Sequence, residues 1–122
     1  MTRVNYPKQG DLVFMDAEPH SGHEIGGHDP KKKNIRRPFL IMSQASFNQK
    51  TGMCYAMAIT SKHRARNTRL EILDFASKIH GDLLLYQVPE YDFISRNCEI
   101  VGHIKDEALF NEAKEVFLQI FQ

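Results

Sequence analysis

The run Met53-Cys-Tyr-Ala-Met-Ala-Ile-Thr60 decides the fold. It is almost continuously apolar and is bounded by Gly52 and Ser61, which makes it a short strand. Two more runs of the same kind precede it, Asp11-Leu-Val-Phe-Met-Asp16 and Pro38-Phe-Leu-Ile-Met42. Three follow, Leu70 to Leu73, Asp82 to Val88 and Glu99 to His103, separated by polar or glycine-containing turns. Six short strands predict a small, strongly bent sheet or barrel. Helical period is confined to the C-terminus. From about Asp106, apolar residues recur at Leu109, Ala113, Val116, Phe117 and Ile120, with Glu112, Lys114 and Glu115 on the other face. That predicts one amphipathic helix packed on the barrel, with Asp106 and Glu107 placing negative charge against the exposed N–H groups of its first turn. The fold class is mainly β with one α-helix.

At 122 residues the chain fits one domain, 1–122, with one core and one principal site. Hydrophobic residues make up 42% and charged residues 25%, which excludes a disordered or fibrous chain. The longest apolar runs, such as Leu83 to Tyr86, fall far short of the roughly 20 residues of a membrane span. The first ten residues hold no apolar signal segment, so a cytoplasmic protein without membrane contact is expected. Cys54 and Cys98 then read as reduced core thiols.

The formal net charge is only +1, yet ten Lys or Arg residues and no Asp or Glu lie between Lys31 and Arg69, and all 15 acids lie outside that stretch. If these basic segments share a face, they create a field that attracts a polyanion. Two segments inside or beside this stretch lack strand or helix period. Glu18 to Arg37 is 20 residues with three glycines, and Lys62 to Thr68 is a basic connection between strands. Paired basic loops beside a small barrel suit a single nucleic-acid strand.

Chemistry-bearing side chains gather in the first of these segments. His20, His23, His28 and Asp29 are metal-ligand types, but their spacing matches no standard site and Gly22, Gly26 and Gly27 leave them unfixed, so no metal or other cofactor is expected. The other reading is phosphoryl chemistry. A carboxylate or imidazole, Glu24 or His23, takes a proton; the Arg37 guanidinium neutralises charge developing on phosphorus; the Thr60 hydroxyl holds a phosphate oxygen. RNA is the natural substrate because its own 2'-hydroxyl can be the nucleophile.

The ordered set Tyr6-Pro7, Gly10-Asp11-Leu12-Val13, Gly22-His23-Glu24, Gly26-Gly27, Arg37-Pro38, Phe47-Asn48, Thr51-Gly52 and Ile59-Thr60-Ser61 resembles the MazF/PemK family of toxin endoribonucleases. The match is strong over the first half and weak beyond it. The resemblance implies a small SH3-like barrel with a C-terminal helix. It also implies a homodimer, metal-independent cleavage of single-stranded RNA to a cyclic phosphate and a 5'-hydroxyl, and an antitoxin partner. Arg37 resembles the family's catalytic arginine and Thr60 its phosphate-contacting threonine. Glu24 matches a carboxylate of the RNA site, with His23 beside it. The RNA path would draw on Lys31, Lys32, Lys33, Arg36, Ser61, Lys62, Arg64 and Arg66, with Gln87 and Asp92 on a later segment that aligns with a base-selecting strand. That segment, Tyr86-Gln87-Val88-Pro89-Glu90-Tyr91-Asp92, lacks the family's basic position, so the cleavage sequence does not transfer. The related CcdB fold supplies the alternatives, a gyrase-binding toxin acting through Phe110 to Phe121 or a passive RNA-binding barrel.

Overall fold

A computed structural model describes residues 6–17, 36–61 and 69–121. Seven antiparallel strands, β1 (Asp11–Asp16), β2 (Arg36–Ile41), β3 (Met53–Thr60), β4 (Arg69–Asp74), β5 (Ile79–Leu84), β6 (Glu90–Asp92) and β7 (Glu99–His103), form one curled sheet. Its order is β4-β5-β3-β2-β1-β7, and β6 pairs with the start of β3. A short helix α1 (Ala45–Thr51) joins β2 to β3, and α2 (Glu107–Leu118) runs into a final 3-10 turn.

The central strands β1, β2 and β3 are apolar without alternation because both of their faces are covered. Leu12, Leu40, Met57 and Ile59 point to one cluster, shared with Leu83 of β5 and with Phe110 and Ala113 of α2. Val13, Met15, Phe39, Ile41, Cys54, Ala56 and Ala58 point to a second, closed by Tyr91 and Phe93. The helix is anchored as expected: the Asp106 carboxylate accepts from the Leu109 N–H at 3.0 Å, which caps α2. Among the described residues no helix is long and apolar enough to cross a membrane.

Three expectations need correction. The chain has a second helix, α1, in which only Asn48 is buried, so no apolar stripe announces it. The strand expected over Asp82 to Val88 is Ile79–Leu84, because Leu85 and Val88 are buried after the ladder ends and prolong the apolar run. A seventh strand, β6, carries one buried side chain, Tyr91, between two exposed acids.

Several residues of the family-like set prove structural. Gly10 has φ +93°, and a Cβ there would come within 2.8 Å of the His103 ring. Asp11 holds that ring through Nδ1 at 2.9 Å and accepts from the Lys8 N–H at 2.8 Å, which fastens β1 to β7. Asn48 is fully buried, donating to the Pro7 carbonyl at 2.7 Å and accepting from the Ser43 hydroxyl at 2.6 Å. Replacing it would strand a buried carbonyl. Asn48→Ala is expected to lower stability by roughly 2–3 kcal/mol, read as a drop in urea midpoint at unchanged slope.

Candidate active site

β2 and β3 pair with Phe39 opposite Ala58 and Ile41 opposite Ala56. That pairing ends at Phe39 and Ala58, and two residues further along each strand lie Arg37 and Thr60. Strand alternation puts both on the face of the second cluster, Arg37 following Phe39 and Ile41, Thr60 following Ala56 and Ala58. Two groups 23 positions apart in the sequence thus lie toward the same end of the sheet.

Arg37 is half-buried beside its β1 partner Met15, and its Nε is buried with no hydrogen-bond partner among the described residues. A buried guanidinium nitrogen left unsatisfied costs stability, and such exceptions concentrate where a ligand is to arrive. No ion pair of Arg37 is found among the described residues. Thr60 closes β3, with Ser61 exposed just beyond it.

On its other edge Thr60 pairs with Asp82 of β5. Asp82 is 1% exposed, which places a buried carboxylate next to the Thr60 position. The residue before it is Gly81, with φ +149°, where a Cβ would collide with the Thr60 carbonyl oxygen. Glycine at 81 is therefore what lets β5 approach β3 closely enough to hold Thr60. Sequence reasoning missed both. The signal available was a glycine and an acid inside an apolar run.

Arg36 is placed differently from its neighbour. Its guanidinium pairs with Asp16 at 3.0 Å, donates to the Phe14 carbonyl at 3.1 Å and approaches Glu99 at 3.6 Å. Asp92 pairs with Met53, at the opposite end of β3 from Thr60, and its Oδ1 accepts from the N–H groups of Ile94 and Ser95. These bonds to Ser95, then to Ile94, hold its carboxyl below the usual range. It closes a turn there. Gln87 is exposed, in the turn after β5. His23, Glu24, Lys31, Lys32, Lys33, Lys62, Arg64 and Arg66 lie outside the described residues, as do His20, His28 and Asp29. Among the described residues no group of three or more His, Cys, Asp or Glu side chains is arranged to hold a metal.

A family model described as PemK-like, MazF-like toxin of type II toxin-antitoxin system matches residues 8–121. The endoribonuclease toxin ChpB of Escherichia coli strain K12 is 30% identical over 112 residues, covering 89% of this chain and 90% of that protein. The endoribonuclease toxin MazF of the same strain is 28% identical over 103 residues, 84% of each. In fold, the crystal structure of MazF from Deinococcus radiodurans is similar at a TM-score of 0.82 and 23% identity, covering 97% of this chain and 98% of that one.

The two thiols do not compete as nucleophiles. Burial, reinforced by the nearby Cys98, pushes the Cys54 thiol up to about 12, and burial pushes Cys98 to about 11. Both stay protonated at physiological pH, and both are unbridged. At pH 8 the thiolate fraction of Cys54 is then about three orders of magnitude below that of an ordinary thiol. Labelling of Cys54 by a disulfide reagent is expected to be at least about a hundredfold slower in the native protein than in denaturant. Rapid native labelling of both cysteines would contradict this placement.

Proposed function

The chain belongs to the PemK-like, MazF-like family of toxins of type II toxin-antitoxin systems, and from that membership we propose that Arg37 and Thr60 form the core of its RNA-cleaving site. The protein is an endoribonuclease toxin, paired with an antitoxin. What supports the site is the placement of Arg37 and Thr60 toward the same end of β2 and β3, with the Arg37 Nε buried and without a hydrogen-bond partner among the described residues.

The proposed reaction uses the substrate's own 2'-hydroxyl. Its proton passes to Glu24, or to His23 beside it, as the 2'-oxygen attacks phosphorus. The bond from phosphorus to the 5'-oxygen breaks, the leaving oxygen takes a proton from water while the Glu24 or His23 proton is lost to solvent, and the products are a cyclic phosphate and a 5'-hydroxyl. Arg37 neutralises the charge that builds on the phosphoryl oxygens, and it does so from a fixed strand with little reorganisation. The Thr60 hydroxyl donates to one of those oxygens. Lys31 to Lys33, Lys62, Arg64 and Arg66 supply the field that holds the strand, with Ser61 at the exposed end of β3 and Gln87 in an exposed turn as further contacts.

The assembly we propose is a cytoplasmic homodimer whose basic segments are covered by an acidic, partly disordered stretch of the antitoxin, which folds as it binds. The mechanism needs no cofactor.

Arg37→Ala is expected to lower cleavage of a mixed-sequence RNA by about a hundredfold or more, the usual loss for one preorganised charge-stabilising donor. The check is single-turnover cleavage with mapping of the new 5' ends. Near-normal turnover would remove Arg37 from the chemistry, and intact RNA with the unaltered protein would favour a non-catalytic binder. EDTA is expected to leave the rate unchanged. Loss with EDTA and recovery with a divalent ion would restore the metal reading of His20, His23, His28 and Asp29.

A further inference from the structure

Two arginines stand side by side at the start of β2, and strand alternation sends them to opposite faces. Either could serve an anionic substrate. Yet Arg36 is engaged by three acceptors, the Asp16 carboxylate, the Phe14 carbonyl and Glu99, while Arg37 is left to the face it shares with Thr60. The geometry points to Asp16 as a positioning residue: by holding Arg36, it decides which of the two arginines is delivered to the RNA site.

Asp16 is built for the task. Its carboxylate is only 12% exposed, so the pair is not a loose surface bridge. One oxygen accepts from Arg36 at 3.0 Å, and the other accepts from the Asn97 amide at 2.7 Å. Its backbone is fixed as well: the Asp16 N–H donates to the Arg96 carbonyl at 2.8 Å, and the Arg96 guanidinium donates to the Asp16 carbonyl at 3.0 Å. Arg96 is itself held over the Tyr91 ring, with its guanidinium carbon 4.9 Å from the centroid. The last residue of β1 is thus a rigid peg.

The start of β2 needs such a peg. Pro38 has no N–H to give to β3, and the β2–β3 pairing begins only beyond it, at Phe39 opposite Ala58. The Arg36 side chain instead ties this end to β1, through the Phe14 carbonyl and Asp16. Beyond Pro38 the apolar side chains Phe39, Leu40 and Ile41 lock the strand, but ahead of it only the two arginines remain. A local slip of one residue there would exchange their faces and present the wrong guanidinium to the substrate. Loss of the Asp16 charge both loosens that end and releases a second arginine that competes for the same phosphate.

This rests on the catalytic reading of Arg37, and the experiment separates the two. Asp16→Asn, Arg36→Gln and the double variant are assayed for kcat and KM on one RNA oligonucleotide with a mapped cleavage position, with thermal melting as the fold control. Arg36→Gln serves as the reference for the pair, with kcat expected within about threefold of the unaltered protein and any loss of an RNA contact read in KM. Asp16→Asn is expected to lose about tenfold or more in kcat with KM changed less than about threefold. The double variant, which has no second arginine to misplace, is expected to recover to within about threefold of Arg36→Gln. A purely structural role predicts the opposite, a double variant at least as impaired as Asp16→Asn, and that result overturns the proposal, as does a normal kcat for Asp16→Asn. If Asp16→Asn does not fold, the double variant decides alone: folded and active supports the assignment, unfolded makes the pair a structural fastening and refutes it. Full activity in Arg37→Ala, by contrast, would refute the catalytic reading itself.

Discussion

The middles of the central strands are covered on both faces. The buried apolar side chains of β1, β2 and β3 enter one or other of two clusters, and a shift of one residue would move them into the wrong one. Register is therefore specified twice, once from each side. That constraint reaches the proposed site because Arg37 and Thr60 lie toward the ends of two such strands and inherit the face that Phe39 and Ala58 dictate. The precision that the proposed charge-stabilising group needs comes first from core packing, with the Asp16–Arg36 pair fastening the end of β2 ahead of Pro38.

Much of this was legible in the sequence, for the same reason. Runs such as Met53–Thr60 and Asp11–Asp16 read as strands because double-sided burial makes them continuously apolar. The terminal helix was legible from its stripe, although Phe110, one of its two buried side chains, falls outside the residues that define the period. What escaped had no apolar signature. Helix α1 is a seven-residue turn held by polar bonds, with Thr51 donating to the Phe47 carbonyl at 2.8 Å and Gly52 closing it at φ +71°. Strand β6 is three residues long, two of them exposed acids.

The site divides along the same line. Arg37-Pro38 and Ile59-Thr60-Ser61 could be found because an ordered string carries them. The rest of that string proved to contain a good deal of fold: Gly10-Asp11 seats the His103 ring, and Asn48 pins the segment at Pro7. Family resemblance therefore reported scaffold and chemistry together, and only the register separates them. Asp16, Arg96 and Asn97 could not be seen, because the bonds that give them meaning join residues 80 and 81 positions apart and leave no local pattern. Asp82 was read merely as the start of a strand, when its burial beside Thr60 is a tertiary fact.

Charge placement completes the argument. A protein meant to grip RNA gains attraction from every exposed cation, but each one also adds sequence-independent binding and slows release. Here the sum is nearly neutral while the cations are concentrated between Lys31 and Arg69. Within that stretch Arg36 is neutralised by Asp16 and Glu99. Of the two adjacent arginines of β2, that leaves Arg37 for the proposed site. In the proposed assembly an acidic partner laid over those cations would cancel the field that attracts RNA, so that inhibitor and substrate would compete by electrostatics.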